Sequence, residues 1–336
     1  MSTKAIIPVA GKGIRLRPLT YTQPKPLISV AGKPIISFII DQLVDAGIDD
    51  FIFIIGHLGE KIQVYIQENY AHLKVSFVIQ DDRRGSAHAI WLAKQQFEKA
   101  DEVFIFFGDA IIDTDLKEAV DSPFSSIGIK TVDDPRNFGV VEFSKKGEII
   151  AVEEKPRIPH SDQAMVGIYK IKEISTLIEA LDEVIKVGLE TEDEIPLTSA
   201  LSYMIDHGVK FEAFEVNNWF DCGQMDVLLE TNASFLDREG YASYDLPSFY
   251  NSIIIHPVSI GKNCDISNSI IGPHVTIGNN VVVKNAIIKN AIIGEYSSIK
   301  EIILQKSVVG NDASITGFRH SLNIGDNTEI DFSPSN

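Results

Sequence analysis

From Ile253 onward an aliphatic side chain returns every five or six residues, at Ile260, Ile266, Ile271, Ile277, Val283, Ile288, Ile293, Ile299, Leu304, Val309 and Ile315. Few folds accept so short and so regular a step. Ile-Gly or Val-Gly pairs recur at Gly261, Gly278, Gly294, Gly310 and Gly325, spaced 17, 16, 16 and 15 residues apart. Three short sides per coil satisfy both spacings, which predicts a parallel β-helix. A single coil cannot bury its aliphatic corner alone, so each one depends on its neighbours. About five turns fit, ending near Ile330 ahead of a short polar tail at 333–336.

The first 236 residues follow another rhythm. Apolar runs at 5–9, 51–55, 75–79 and 104–107 read as strands. Between them, 35–46 reads as a helix with Pro34 at its first turn and Gly47 as its stop, and a second helix lies near 60–68. Further helices are expected at 192–206 and 224–235. Strands alternating with helices predict a doubly wound, Rossmann-like α/β domain. The fully apolar fourth run suits the centre of a parallel sheet. Ligands of such sheets lie at the carboxyl ends of the strands, and those ends carry Gly11, Gln80 and Asp109. The pattern changes near Asp237, which divides the chain into a domain at 1–236, a linker at 237–250 and the coils at 251–332.

The first strand empties into Ala10-Gly11-Lys12-Gly13, where two glycines let backbone N–H groups approach a ligand closely. Residues 1–40 hold six basic side chains (Lys4, Lys12, Arg15, Arg17, Lys25, Lys33) and no acidic one, in a chain of net charge −17. A cationic island on so acidic a protein points to an anionic ligand. It is neither of two common phosphate loops. A dinucleotide fingerprint would need a third glycine where Leu16 stands, and a P-loop would need Gly-Lys-Ser/Thr after its spacer.

Composition excludes other classes. A chain of 336 residues, 44% hydrophobic and 23% charged, has the makings of about two globular domains. It has no apolar run of 18 residues and no signal-like start, so no membrane partner is expected. The two cysteines, Cys222 and Cys264, lack disulfide or metal spacing and suit a reducing, cytoplasmic compartment. A pI near 4.9 argues against nucleic acid.

Gly11-Lys12-Gly13-Ile14-Arg15-Leu16-Arg17-Pro18-Leu19-Thr20 with Pro24-Lys25-Pro26 resembles the G-x-G-x-R-x-x-P-L-T…P-K-P signature of sugar-1-phosphate nucleotidylyltransferases. Phe107-Gly108-Asp109-Ala110 is similar to the G-D-N-x motif of that family, with Ala110 in place of asparagine. Trp219-Phe220-Asp221-Cys222-Gly223 is similar to its W-x-D-T-G segment, with Cys222 in place of threonine. The coils resemble the left-handed β-helix attached to many members, so the resemblance spans nearly the whole chain.

The resemblance implies roles. Arg15 and Lys25 would be the catalytic cations, with Ala10, Gly11, Gly13, Gln80 and Gly85 on the nucleotide. Gln80, separated from Gly85-Ser86 by a four-residue spacer, would read a pyrimidine, because an amide both donates and accepts. Asp109 and Asp221 would hold Mg²⁺ together with the phosphates. The β-rich insertion at 126–169 would supply the sugar-1-phosphate pocket through Gly139, Glu154, Lys155 and Val166. The expected partners are an NTP, dTTP or UTP first, and glucose 1-phosphate, in a homo-oligomer. Two other readings remain: a catalytically inactive regulatory subunit, and a bifunctional enzyme whose coils transfer acyl groups near His256 or His274.

Overall fold

The computed structural model describes residues 2–191 and 194–317. They divide into two compact units, Met1–Phe235 and Leu236–Asn336. The last coil expected around Gly325 and Ile330, the polar tail, and Glu192 lie outside the described residues.

The first unit is built on a nine-stranded sheet. Strand β1 (Thr3–Pro8) is its axis, flanked in parallel by β2 (Asp50–Ile55) and β4 (Glu102–Phe106), with β3 (Lys74–Ile79) beyond β2. Helix α1 (Ile35–Asp45) joins β1 to β2, α2 (Gly59–Asn69) joins β2 to β3, and α3 (Ser86–Leu92) begins the crossing back to β4. The chain therefore leaves β1 toward one edge and later returns to its other side. That reversal makes a topological switch point at the carboxyl ends of β1 and β4. Buried Ile6, Ile52, Ile54 and Ile105 face one layer, while Ile7, Phe51, Phe53, Phe104 and Phe106 face the other. Both sheet faces are covered, as parallel strands require.

The segment expected as an insertion is woven into the same sheet. After β4 the chain forms β5 (Ile111–Asp113), which stands outside this sheet, and then β6 (Ser125–Thr131), β7 (Gly139–Phe143), β8 (Ile149–Glu154) and β9 (Gln163–Ile171), which belong to it. Strand β9 runs antiparallel to β4, β6 and β7, so the sheet is mixed. Strand β10 (Phe211–Glu215) closes the β6 edge in parallel.

Two helix expectations need adjustment, at Pro34 and at 192–206. Pro34 is the N-cap of α1, in extended backbone just ahead of the first turn. In α3 the buried set is Ala87, His88, Ala89 and Ile90, followed by Ala93, and Leu92 is only half-buried. Ala89, Ala93 and Phe97 hold the core-facing positions four apart, and Leu92 falls beside that row. The helix expected at 192–206 begins later, as α5 (Leu197–Asp206), and a longer helix that was not expected, α4 (Ile174–Thr191), precedes it. Pro196 is extended at the N-cap of α5, where a proline cannot continue a helix from before it.

The second unit is a parallel β-helix. Val258–Ile260 stacks on Val275–Ile277, and Asp265–Ser267 on Val282–Lys284, Ser298–Lys300 and Ser314–Thr316 in turn. Ile266, Ile271, Val275, Ile277, Val283, Ile288, Ile293 and Ile299 form its core. Left-handed backbone at Asn263, Asn280, Tyr296 and Asp312 turns one corner in successive coils, and Asn251, Asn268, Asn285 and Glu301 turn another. Asparagine suits these corners because its short amide tolerates positive φ. The stretch read as a linker packs Leu246 and Phe249 against the coil core. Ile288 is fully buried, so Ile288→Ala should cost about 2–5 kcal/mol in a denaturant titration. A loss under about 1 kcal/mol would show that the stack is loosely packed.

Candidate active site

A cleft of about 460 Å³ opens at the switch point. Ala10, Gly11, Gly13, Arg15, Lys25, Gln80, Gly85 and Asp109 all line it, together with Gly223 beside Asp221. Gly13 has φ 59° and caps the short turn Ile14–Leu16 that carries Arg15. The Thr20 hydroxyl donates to the Gly13 carbonyl at 2.8 Å, fixing that turn.

The two candidate metal carboxylates meet through a small ladder. Strand β11 (Asn218–Phe220) runs antiparallel to β5, with Phe220 opposite Ile111. Asp109 lies just before one strand and Asp221 just after the other, so the register brings them to the same end. Between them stands Lys25, only 8% exposed. Its Nζ is 3.9 Å from Asp109 Oδ2 and 3.8 Å from Asp221 Oδ1. Arg15 reaches Asp221 Oδ2 at 3.9 Å from the open rim. A Cβ on Gly223 would lie 3.0 Å from Asp221 Oδ1 and 3.1 Å from Arg15 Nη2, so the glycine gives both groups room. Beneath them burial lifts the Cys222 thiol to about 11, which keeps it protonated and inert at neutral pH.

This donor set suits one kind of metal. Among the described residues no cluster of three or more His, Cys, Asp and Glu side chains forms a complete cage. Two carboxylates without a nitrogen or sulfur partner fit a hard cation that keeps water and phosphate oxygens in its remaining positions.

The expected cationic island does not survive as a unit. Lys4 pairs with Asp50 and Lys33 with Asp41, while Arg17 lies over the Tyr21 ring. Arg15 and Lys25 are the two of the six that line the cleft. A third cleft cation, Arg83, was not foreseen. Its Nε donates to the Ala10 carbonyl at 3.0 Å, tying the loop after β3 to the loop after β1. The Arg83-Arg84 doublet inside QDDRRG was the available signal.

The remaining candidates lie on the antiparallel side. Glu154 ends β8 and accepts a hydrogen bond from Thr198 at 2.6 Å, next to Gly139 at the start of β7. Lys155 follows in left-handed backbone, 62% exposed and 3.7 Å from Glu154. Val166 has its side chain buried in the core. Tyr169 links the two halves: burial, then the Glu154 and Asp109 carboxylates, pushes its hydroxyl well above the usual range.

Gly85 holds this frame together, with φ 98°. The Ala87 N–H donates to the Ile195 carbonyl, the Ile195 N–H to Arg84, and the Leu197 N–H to the Ser86 hydroxyl. A Cβ on Gly85 would sit 2.4 Å from the Ile195 oxygen. Gly85→Ala should therefore cost roughly 1–3 kcal/mol and raise the KM for nucleotide, by thermal melting and steady-state kinetics. An unchanged Tm and KM would contradict the clamp.

A cleft at the switch point of a wound sheet, with a glycine loop and cations at its mouth, is built to hold a phosphate-bearing ligand. Comparison with known proteins narrows this further. The chain belongs to the nucleotidyl transferase family, whose sequence profile matches residues 4–238, and it is a sugar-phosphate nucleotidyltransferase. A glucose-1-phosphate thymidylyltransferase from Streptomyces antibioticus is 27% identical over 98% of this chain and 99% of its own length. The bifunctional protein GlmU of Methanocaldococcus jannaschii is 36% identical over 70% of this chain, which spans 54% of that relative. A crystal structure of a candidate glucose-1-phosphate thymidylyltransferase from Bacillus anthracis, holding sucrose, superposes with a TM-score of 0.62 at 26% identity, over 71% of this chain and 97% of that one.

Proposed function

We propose that this protein transfers a nucleotidyl group from dTTP or UTP to a sugar 1-phosphate, glucose 1-phosphate first, and releases pyrophosphate. The observation that carries this reading is Lys25, a nearly buried ammonium held between two carboxylates at the mouth of a glycine loop. The kinship to a glucose-1-phosphate thymidylyltransferase supports the sugar and the base.

In this reaction a phosphate oxygen of the sugar 1-phosphate attacks the α-phosphorus of the nucleotide, and the bond to pyrophosphate breaks. The nucleophile is already an anion, so no side chain has to remove a proton. Positioning and neutralisation of charge supply most of the rate. Lys25 takes the α-phosphate as charge develops there, and Arg15, on the open rim, grips the departing phosphates. The N–H groups at Ala10, Gly11 and Gly13 cradle the triphosphate. Gln80 and Gly85 face the base. Glu154 takes sugar hydroxyls, Lys155 the sugar phosphate, and Gly139 and Val166 contribute backbone to that pocket. Asp109 and Asp221 would hold Mg²⁺, which when bound neutralises phosphate charge. The working division is a catalytic domain at 1–236 and coils from 251 that assemble a homo-oligomer. The exposed Ile253, Ile287 and Ile303 on one coil face support that assembly role.

Pyrophosphate release across a matrix of dTTP, UTP, CTP, ATP and GTP with several sugar 1-phosphates tests the reading. Turnover highest with dTTP or UTP and glucose 1-phosphate is expected. Release confined to a purine nucleotide would overturn the base assignment. A second reading, acyl transfer in the coils, draws on the GlmU relatives and on His274 Nε2, 3.0 Å from Asp237. Acetyl-coenzyme A turnover lost in His274→Ala would establish it.

A further inference from the structure

Gln80 does not present its whole amide to the cleft. Its Nε2 lies 3.1 Å from the Gly85 carbonyl and 3.2 Å from His88 Nδ1. A backbone carbonyl only accepts, so the amide atom beside it must be the nitrogen. The second N–H of that nitrogen then points at His88 Nδ1, which has to be the unprotonated, accepting nitrogen of the ring. Both donors of Gln80 are spent inside the protein, and its oxygen has no protein partner among the described residues. The expectation that this amide both donates to and accepts from a base is corrected to acceptance alone.

We propose that His88 is a positioning residue that locks the Gln80 amide with its oxygen toward the base, so that the cleft selects nucleotides whose ring nitrogen carries a proton. This rests on the reading that Gln80 faces the base. Thymine and uracil offer such an N3–H, whereas cytosine N3 and adenine N1 are acceptors and would meet the Gln80 oxygen lone pair to lone pair. Guanine N1–H satisfies the same atom, so this lock sorts bases by proton rather than by ring size.

The surroundings keep His88 in the accepting state. It is 8% exposed, and burial lowers its pKa below the ordinary imidazole value. The charged groups facing it are Asp82 and Arg84 from the preceding loop, of opposite effect. On its own helix the ring stacks on Trp91 at 6.0 Å, and Trp91 is held by Asp182 of α4, which also binds Lys94. Protonation would turn Nδ1 into a donor aimed at Nε2, a clash relieved only by breaking the Gly85 bond or turning the amide over.

The test compares wild type, His88→Phe, His88→Gln and Gln80→Ala, with UTP, dTTP and CTP, from about pH 8 to pH 5.5. His88→Phe keeps the ring stack but loses the acceptor. It should raise the KM for UTP and dTTP about tenfold, lower kcat by less than KM rises, and narrow the preference over CTP. His88→Gln, which can again accept from Nε2, should restore most of that preference. In wild type the KM for UTP should stay flat through the ordinary imidazole range near about 6.5 and rise only at lower pH, and that ionisation should vanish in His88→Phe. If Gln80→Ala loses base preference while His88→Phe keeps it with an unchanged pH profile, the lock is wrong and the base reading stands. If Gln80→Ala keeps full base preference, both are wrong.

Discussion

Lys25→Met is expected to lower kcat/KM roughly a hundredfold, about 2.7 kcal/mol of transition-state stabilisation, while the protein stays folded. The size follows from position. Lys25 is nearly buried, and its ammonium is within 4 Å of carboxylates on two separate segments. Removing it takes away a preorganised charge and leaves two anions facing each other across the cleft. Lys25→Arg is the sharper probe, because it keeps the charge but replaces a compact ammonium with a wide planar fork. A loss of at least tenfold, about 1.4 kcal/mol, is expected there. Lys4→Arg should be nearly silent, since Lys4 pairs with Asp50 away from the cleft. Equal effects at the two lysines would mean that the N-terminal segment acts only as a diffuse positive patch.

Asp221→Asn should be comparably damaging, with turnover down roughly a hundredfold at saturating Mg²⁺ and the melting curve preserved. A neutral amide is a far poorer ligand for a hard cation. The midpoint of the Mg²⁺ titration should move to higher concentration, and Asp109→Asn should move it the same way. Asp113→Asn is the control. Asp113 sits on the same ladder and accepts from Asn218 at 2.9 Å, so it tests the ladder without touching the pair. Wild-type turnover in Asp221→Asn, or an unmoved Mg²⁺ midpoint, would remove the metal assignment.

Some of this was legible in the chain. The coils were, because a step of five or six residues within a 16–17-residue period leaves one architecture, and the stacked registers repeat those intervals. The switch-point cleft was, because largely apolar strands end at Gly11, Gln80 and Asp109. What failed depended on distant partners. Six basic residues looked like one patch only because Asp41 and Asp50 lie just beyond the window. Strand β9 carries no mark in its own residues that it pairs antiparallel with β4 and joins the main sheet. Asp109 and Asp221 stand far apart in the chain, and it is the pairing of β5 with β11 that brings them together. The polarity of Gln80 was out of reach for the same reason, since Gly85 and His88 decide it.

The central claim is that the α-phosphorus is the atom attacked. Incubation with glucose 1-phosphate and dTTP or UTP labelled at either the α- or the γ-phosphate reads this directly. The account predicts that α-label appears in a nucleotide-sugar and γ-label in pyrophosphate, in equal amounts, with both formed roughly a hundredfold more slowly in Lys25→Met. Label from the γ-position appearing in the sugar phosphate or in orthophosphate, with no nucleotide-sugar formed, would contradict it.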